Sequence, residues 1–256
     1  MRLNLVEAGD GPLVALLHGL FGAAQNWGAV QKALAAAGHR VLALDLRNHG
    51  ASPHAAAMDY PAMAADVAET LAAVGALPAA VVGHSMGGKV AMALALARPE
   101  AVARLVVADI APVRYPPGLR GYAEAMRALS LRPGLTRREA DAALAGSVPE
   151  AGIRAFLLQN LRFDTDPPRW RLALDEVAAA LPVLEDFGGI GAEARYGGPV
   201  LVLGGERSDH VRTEHHPRFR ALFPAVEFAT VPKAGHWVHA ENPAGFLALV
   251  GPFLAA

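Results

Sequence analysis

The stretch "AAVVGHSMGGKVAMALALA" (79–97) constrains the chain most. An unbroken apolar run enters Gly83-His84-Ser85-Met86-Gly87-Gly88 and leaves into a segment rich in Ala, Leu and Met. Continuous rather than alternating hydrophobicity marks a strand buried on both faces, as in a parallel sheet. The segment therefore reads as strand, tight turn, helix. Apolar runs of the same form, each closed by a turn signal, recur at 13–19, 40–50, 104–112, 199–205 and 226–236. Helical segments are expected at 26–37, 60–75, 86–98 and 243–254, the last opening on Pro243, a favourable first helical residue. This alternation predicts an α/β fold: a doubly wound, mostly parallel sheet with helices on both faces.

One region breaks the rhythm. Residues 113–195 hold no convincing strand, but do hold "PVRYPPGLRG", helical stretches rich in Arg, Glu and Ala, and "RFDTDPPRWRLALDEV". The region reads as a helical cap inserted between two strands. The core is then 1–112 plus 196–256, with the cap at 113–195. An insertion at the C-terminal edge of such a sheet sits over the crevice where ligands bind.

Composition narrows the function classes. The 256 residues carry 23 basic against 24 acidic side chains, a net charge of -1. A nucleic-acid partner is not expected, because neutralising phosphates needs a basic surplus. There are no cysteines, which excludes disulfides, thiolate nucleophiles and Cys-ligated metals. "MRLNLVEAGDGP" lacks the apolar core of a secretory signal, and no apolar stretch reaches the roughly 18 residues of a membrane span. The expectation is a soluble, cytoplasmic protein without a membrane partner.

Gly-x-Ser-x-Gly between a strand and a helix is a nucleophile elbow. The turn forces the serine into an unfavourable φ/ψ region, and small residues at 83 and 87 let strand and helix approach closely. Ser85 is thereby exposed where the next helix directs its N-terminal amides, which favours developing negative charge. An alcohol needs a base to become a nucleophile near neutral pH. His236, between the last strand and the last helix, occupies that place in the chain order Ser, acid, His. His239 reads as structural and His84 as packing near the elbow. His18, His49 and His54 are assigned to loops elsewhere, and His215 and His216 to a solvated helix start. An oxyanion hole needs two backbone N–H groups. Met86 supplies one, and Leu20 in "HGLFG" (18–22) is the first choice for the other. Phe21, Trp237, Phe156, Leu157, Leu161 and Trp170 are expected to line an apolar substrate pocket. No zinc signature is found, and neither a metal nor a cofactor is expected.

"HGLFG", "DLRNHGAS" (45–52), "GHSMGG" (83–88) and "GHWVHAENP" (235–243) together resemble the α/β-hydrolase superfamily over nearly the full chain apart from the cap. "DIAPVRYP" (109–116) brings the resemblance closer to small bacterial esterases of the YbfF type. That resemblance implies hydrolysis of simple carboxylic esters and acyl thioesters without a cofactor. It also bears on the acid that orients the histidine. The usual superfamily position follows the strand "PVLVLGG", where this chain reads Gly205-Glu206-Arg207-Ser208-Asp209. Ser208 stands in the acid's place and Asp209 lies one residue late. Asp109, at the end of the strand after the elbow helix, is the preferred acid and Asp209 the alternative. Ser208 is a candidate auxiliary that bonds the histidine.

The function expected is a serine carboxylesterase that acts on short- to medium-chain esters through an acyl-enzyme. An acyl-CoA thioesterase using the same residues is the nearest alternative. Arg162, Arg169 and Arg171 are available to a CoA phosphate, although such residues are ordinarily solvated. Dehalogenases and epoxide hydrolases of this fold carry an aspartate at the elbow, which Ser85 disfavours; carbon–carbon bond hydrolases stay open. A slow-turnover binding protein on a hydrolase scaffold is the alternative from another class. The partner expected in each case is a small molecule.

Overall fold

The computed structural model describes residues 1–191 and 193–256. Its chain order begins with β1 (Leu5–Ala8), β2 (Leu13–Leu17), α1 (Gly28–Ala36), β3 (Arg40–Leu44) and α2 (Tyr60–Ala73). The elbow lies between β4 (Ala79–His84) and α3 (Met86–Ala97), and β5 (Val102–Ala108) follows. The insertion then contributes α4 (Arg120–Ala128), α5 (Arg137–Leu144), α6 (Ala151–Leu157), β6 (Leu161–Arg162), β7 (Arg169–Trp170) and α7 (Leu174–Leu184). The chain closes with β8 (Val200–Gly205), α8 (His216–Leu222), β9 (Val226–Val231), α9 (Val238–Glu241) and α10 (Pro243–Ala255).

Seven strands form one sheet in the order β1-β3-β2-β4-β5-β8-β9. Every neighbouring pair is parallel except β1 with β3. Alternate strand residues face two separate cores. Val14, Leu16, Val82 and Val106 pack with Val30 and Leu34 of α1 and Phe246 and Val250 of α10. Ala15, Leu17, Val81 and Leu105 pack with Val67 and Leu71 of α2, Val90 and Leu94 of α3 and Phe219 of α8. Burial on both faces is the physical reason β4 reads as a continuous apolar run, since all six of its residues are buried.

β1 was not anticipated. It is a four-residue antiparallel edge strand whose middle residues are exposed, so its sequence carries little hydrophobic signal. The insertion also holds a strand pair that the sequence did not suggest. Leu161 faces Trp170 and Arg162 faces Arg169 in a two-residue antiparallel ladder.

A single buried lysine ties the insertion to the elbow helix. Lys89 in α3 is 2% exposed. Its Nζ donates to the carbonyls of Val113, Glu185 and Asp186 at 2.9, 3.3 and 2.8 Å. Val113 lies just after β5 and residues 185–186 just after α7, so one ammonium holds both ends of the insertion. Asn160 Nδ2 adds a bond to the Phe21 carbonyl at 2.7 Å, and the Ala173 amide one to the Asn48 carbonyl at 2.9 Å. Lys89→Met is expected to lower unfolding stability by about 2 kcal/mol, because three buried carbonyls lose a charged donor. Urea titration with a reduced midpoint and an unchanged slope is the check.

Candidate active site

The parallel register brings the ends of β4, β5 and β8 to one edge of the sheet, and every central group of the site lies there. Ser85 has φ +51° and ψ −119°, a conformation costly for any residue with a Cβ. Two glycines make it feasible. A Cβ on Gly83 would sit 2.2 Å from the Gly87 carbonyl oxygen, and one on Gly87 would sit 2.3 Å from that of Leu17. Asp109 at the end of β5 also has a positive φ, +51°, and so does Phe21 in the loop after β2, at +59°. Strain is thus concentrated at three points around one site.

Ser85 Oγ lies 3.1 Å from His236 Nε2, and His236 Nδ1 lies 2.8 Å from Asp109 Oδ2. With Nδ1–H donating to the carboxylate, Nε2 is free to accept the serine proton. The Asp109 carboxylate is fully buried, and Oδ1 accepts from the Gly205 amide at 2.9 Å. The alternative acid, Asp209, is exposed, and its carboxylate makes no bond to His236. A one-residue slip separates Asp209 from the useful direction. Ser208 corrects the expectation as well: its hydroxyl donates to Asp109 Oδ2 at 2.5 Å rather than bonding the histidine.

Two cavities meet at Ser85. One, of about 580 Å³, is lined by Phe21, Phe156, Leu157, Trp237, Asn26 and Gln159, among others. The second, of about 420 Å³, is lined by Met86, Lys89, Ile110, Tyr115 and Leu181. Leu20, Ser85, Ile153, His236 and Trp237 belong to both. Met86 opens α3, so its amide is among the N-terminal N–H groups without an intrahelical acceptor. Leu161 and Trp170 line neither cavity. They sit opposite each other in the ladder, Leu161 in the core and Trp170 half-buried against it, which corrects their assignment to the pocket. Arg162, Arg169 and Arg171 line neither cavity, and Arg162 is paired with Asp164.

His18 and His49, expected in loops elsewhere, in fact support the site, and other contributors carry no local motif. His49 Nε2 accepts from the Phe21 amide at 3.2 Å, and His18 Nε2 accepts from the Leu46 amide at 2.9 Å. Both rings brace the strained loop that contains Leu20. Asn160 bonds that loop from the insertion. Lys89 was signalled only by being the one charged residue in an otherwise apolar helix. His84 donates from Nε2 to the His236 carbonyl at 2.8 Å. His215 and His216 are not solvated as expected: His215 packs against the Tyr115 ring, and His216 stacks on Phe228 at 3.7 Å. His210, two residues after Ser208, stacks on His236 at 3.9 Å. Asp109, His210 and His236 bring ligand-type atoms within 4.8 Å of one another. In-plane lone pairs of two stacked rings do not converge on one ion, and His236 Nδ1 is bonded to Asp109. The trio therefore fits a hydrogen-bond network better than a metal site.

A model of the alpha/beta hydrolase fold family matches residues 12–243. The chain belongs to the α/β-hydrolase family. This α/β hydrolase is 44% identical to the sn-1-specific diacylglycerol lipase ABHD11 of Mus musculus, over 100% of this chain and 85% of the relative. It is 35% identical to esterase YbfF of Escherichia coli, over 99% of each chain. The solved structure of a marine microorganism esterase superposes with a TM-score of 0.93 at 32% identity, covering 98% of this chain and 99% of that one. The fold expected from the sequence and the resemblance to YbfF-type esterases are both upheld. The protein is a hydrolase of the esterase and lipase class. Among the described residues, no helix is long and apolar enough to cross a membrane.

The buried histidines are expected to make the fold of the α/β hydrolase acid-sensitive. Burial pushes His49 down to about 3 and His239 to about 4, and holds His84 well below its ordinary 6.5. The unfolded chain takes up these protons near pH 6.5 while the folded chain refuses them. Their contribution is therefore complete above about pH 6.5 and is lost as pH falls toward 4. His239→Phe, which keeps a ring against Trp27 and Phe246, is expected to flatten the fall of stability between pH 6 and 4.5. The change should approach 1.4 kcal/mol per pH unit, about one proton, measured by urea unfolding across pH.

Proposed function

We propose that this protein is a serine carboxylesterase that works through an acyl-enzyme. Ser85 is the nucleophile, His236 the general base and then acid, and Asp109 the carboxylate that fixes the histidine tautomer. The amides of Leu20 and Met86 form the oxyanion hole. The observation that carries this reading is the continuous chain Ser85–His236–Asp109, at 3.1 and 2.8 Å, opening into a cavity that divides at the serine. Attack transfers the Ser85 proton to His236 Nε2 as Oγ bonds to the carbonyl carbon. The imidazolium returns that proton to the departing alcohol oxygen. Water then repeats the sequence on the acyl-enzyme and frees Ser85.

Two lobes joined at the reacting atom suit an ester with substance on both sides of the carbonyl. The walls favour apolar groups: Phe156, Leu157 and Trp237 on one side, Ile110 and Leu181 on the other. Short- to medium-chain carboxylic esters are the proposed substrates. Glycerol esters are an extension supported by the name of the mouse relative. A CoA thioesterase is less favoured, because the arginines considered for phosphate lie away from both lobes.

Hydrolysis of p-nitrophenyl esters from acetate to palmitate tests the reading. Turnover is expected to peak at short or medium chains and to fall by about 10³-fold or more in Ser85→Ala. Equal turnover by Ser85→Ala would remove Ser85 from the reaction.

A further inference from the structure

His210 has no part in the reading above, yet it touches three members of the site. Its ring lies over that of His236 with centroids 3.9 Å apart and planes 22° from parallel. Its Nδ1 is 3.2 Å from Ser208 Oγ and 3.6 Å from Asp109 Oδ2. Its carbonyl accepts from Tyr115 Oη at 2.5 Å, and the Tyr115 ring packs 5.5 Å from the imidazole. The residue also lines the second lobe beside Ser85.

Hydrogen-bond bookkeeping fixes its protonation. Asp109 Oδ2 accepts from both Ser208 Oγ–H and His236 Nδ1–H. The one hydroxyl proton of Ser208 is thereby spent, so toward His210 the oxygen can only accept. It takes the backbone N–H of His210 at 3.3 Å and, at 3.2 Å, the proton on Nδ1. Nδ1 therefore carries a proton, and the neutral form with Nε2 bare is the one that burial favours. Burial and the neighbouring His236 hold the ring in that form, down to about 4, against the pull of Asp109 and Asp209. Stacking at this distance restricts how far the His236 imidazole can tilt out of line with Ser85. Tyr115 and His215 face the same corner, the latter against the Tyr115 ring.

We propose that His210 is a positioning residue for His236. Its ring face holds the imidazole in line with Ser85, and its Nδ1–H turns the Ser208 hydroxyl onto Asp109. This rests on the reading of Ser85, His236 and Asp109 as the reacting set.

Three variants separate the two contacts. His210→Phe keeps a ring face and loses the donor. His210→Asn keeps a donor near the Nδ1 position and loses the face. His210→Ala loses both. Steady-state kinetics on p-nitrophenyl butyrate, with thermal midpoints for each variant, give the readout. His210→Ala is expected to lower kcat about 10- to 100-fold with KM within about threefold. His210→Phe and His210→Asn should each lose only about two- to tenfold, the worth of one ring pair or one hydrogen bond. A kcat for His210→Ala within twofold of the parent overturns the proposal. So does equal loss in all three variants accompanied by equal loss of thermal midpoint, which marks a structural role alone. If His210→Ala does not fold, the Phe and Asn variants decide: parent-like kcat in both overturns the proposal. Ser85→Ala run alongside keeps the two readings distinct. Parent-like turnover there removes the catalytic reading, whereas a Ser85→Ala slowed by about 10³-fold beside a parent-like His210→Ala removes only the role of His210.

Discussion

The fully buried carboxylate of Asp109 is the point on which the site depends. A carboxylate without a cation in contact is costly to bury, and hydrogen bonds must offset that cost. Here the Gly205 amide, the Ser208 hydroxyl and His236 Nδ1 supply them. Those donors come from the end of β8, the loop after it and the loop after β9. The carboxylate therefore also fixes how three segments meet at the sheet edge. Its backbone is part of the same lock, since the Asp109 amide donates to the Leu203 carbonyl at 2.7 Å. Because His236 is held by this group, the angle at which it meets Ser85 follows from the register of β5 against β8.

Strain at Ser85 is supported by packing of the same kind. The elbow projects the serine only because Gly83 and Gly87 let β4, α3 and the end of β2 pass within van der Waals contact. The loop after β2 is then held from below by His18 and His49 and from above by Asn160. Lys89 joins the helix of the elbow to both ends of the insertion. The insertion is thus bonded to the two strained segments, and the shape of both cavities is set by the groups that hold the reacting atoms.

Much of this was legible where the signal is local. Gly83, Ser85 and Gly87 announce their turn by spacing, and the two-sided burial of β2 to β5 and β8 writes continuous apolar runs. His236 follows from its place between β9 and α10. Asp109 could be named because it ends a strand on the shared edge and because the resembling esterases carry the same Asp-Ile-Ala-Pro, but Asp209 competed with it until side-chain direction was known. β1 was missed because four half-exposed residues carry no pattern. Leu161 and Trp170 were misplaced because an insertion's sequence does not tell which apolar face meets the site and which meets the core beneath it. His210 was invisible for a related reason. A ring stacked on a residue 26 positions later leaves no mark in the sequence, and the hydroxyl it orients, Ser208, was expected to bond the histidine.

Everything proposed for the site turns on the Asp109–His236 pair making Ser85 a nucleophile. The most direct test is the rate at which a fluorophosphonate probe modifies the protein, with the adduct mapped by mass spectrometry. The parent, Asp109→Asn and Asp209→Asn would be compared. One adduct is expected, on Ser85, formed about 10³- to 10⁴-fold more slowly in Asp109→Asn and at the parent rate in Asp209→Asn. No adduct on Ser85, or slow labelling in Asp209→Asn with parent-like labelling in Asp109→Asn, would contradict that role of the pair.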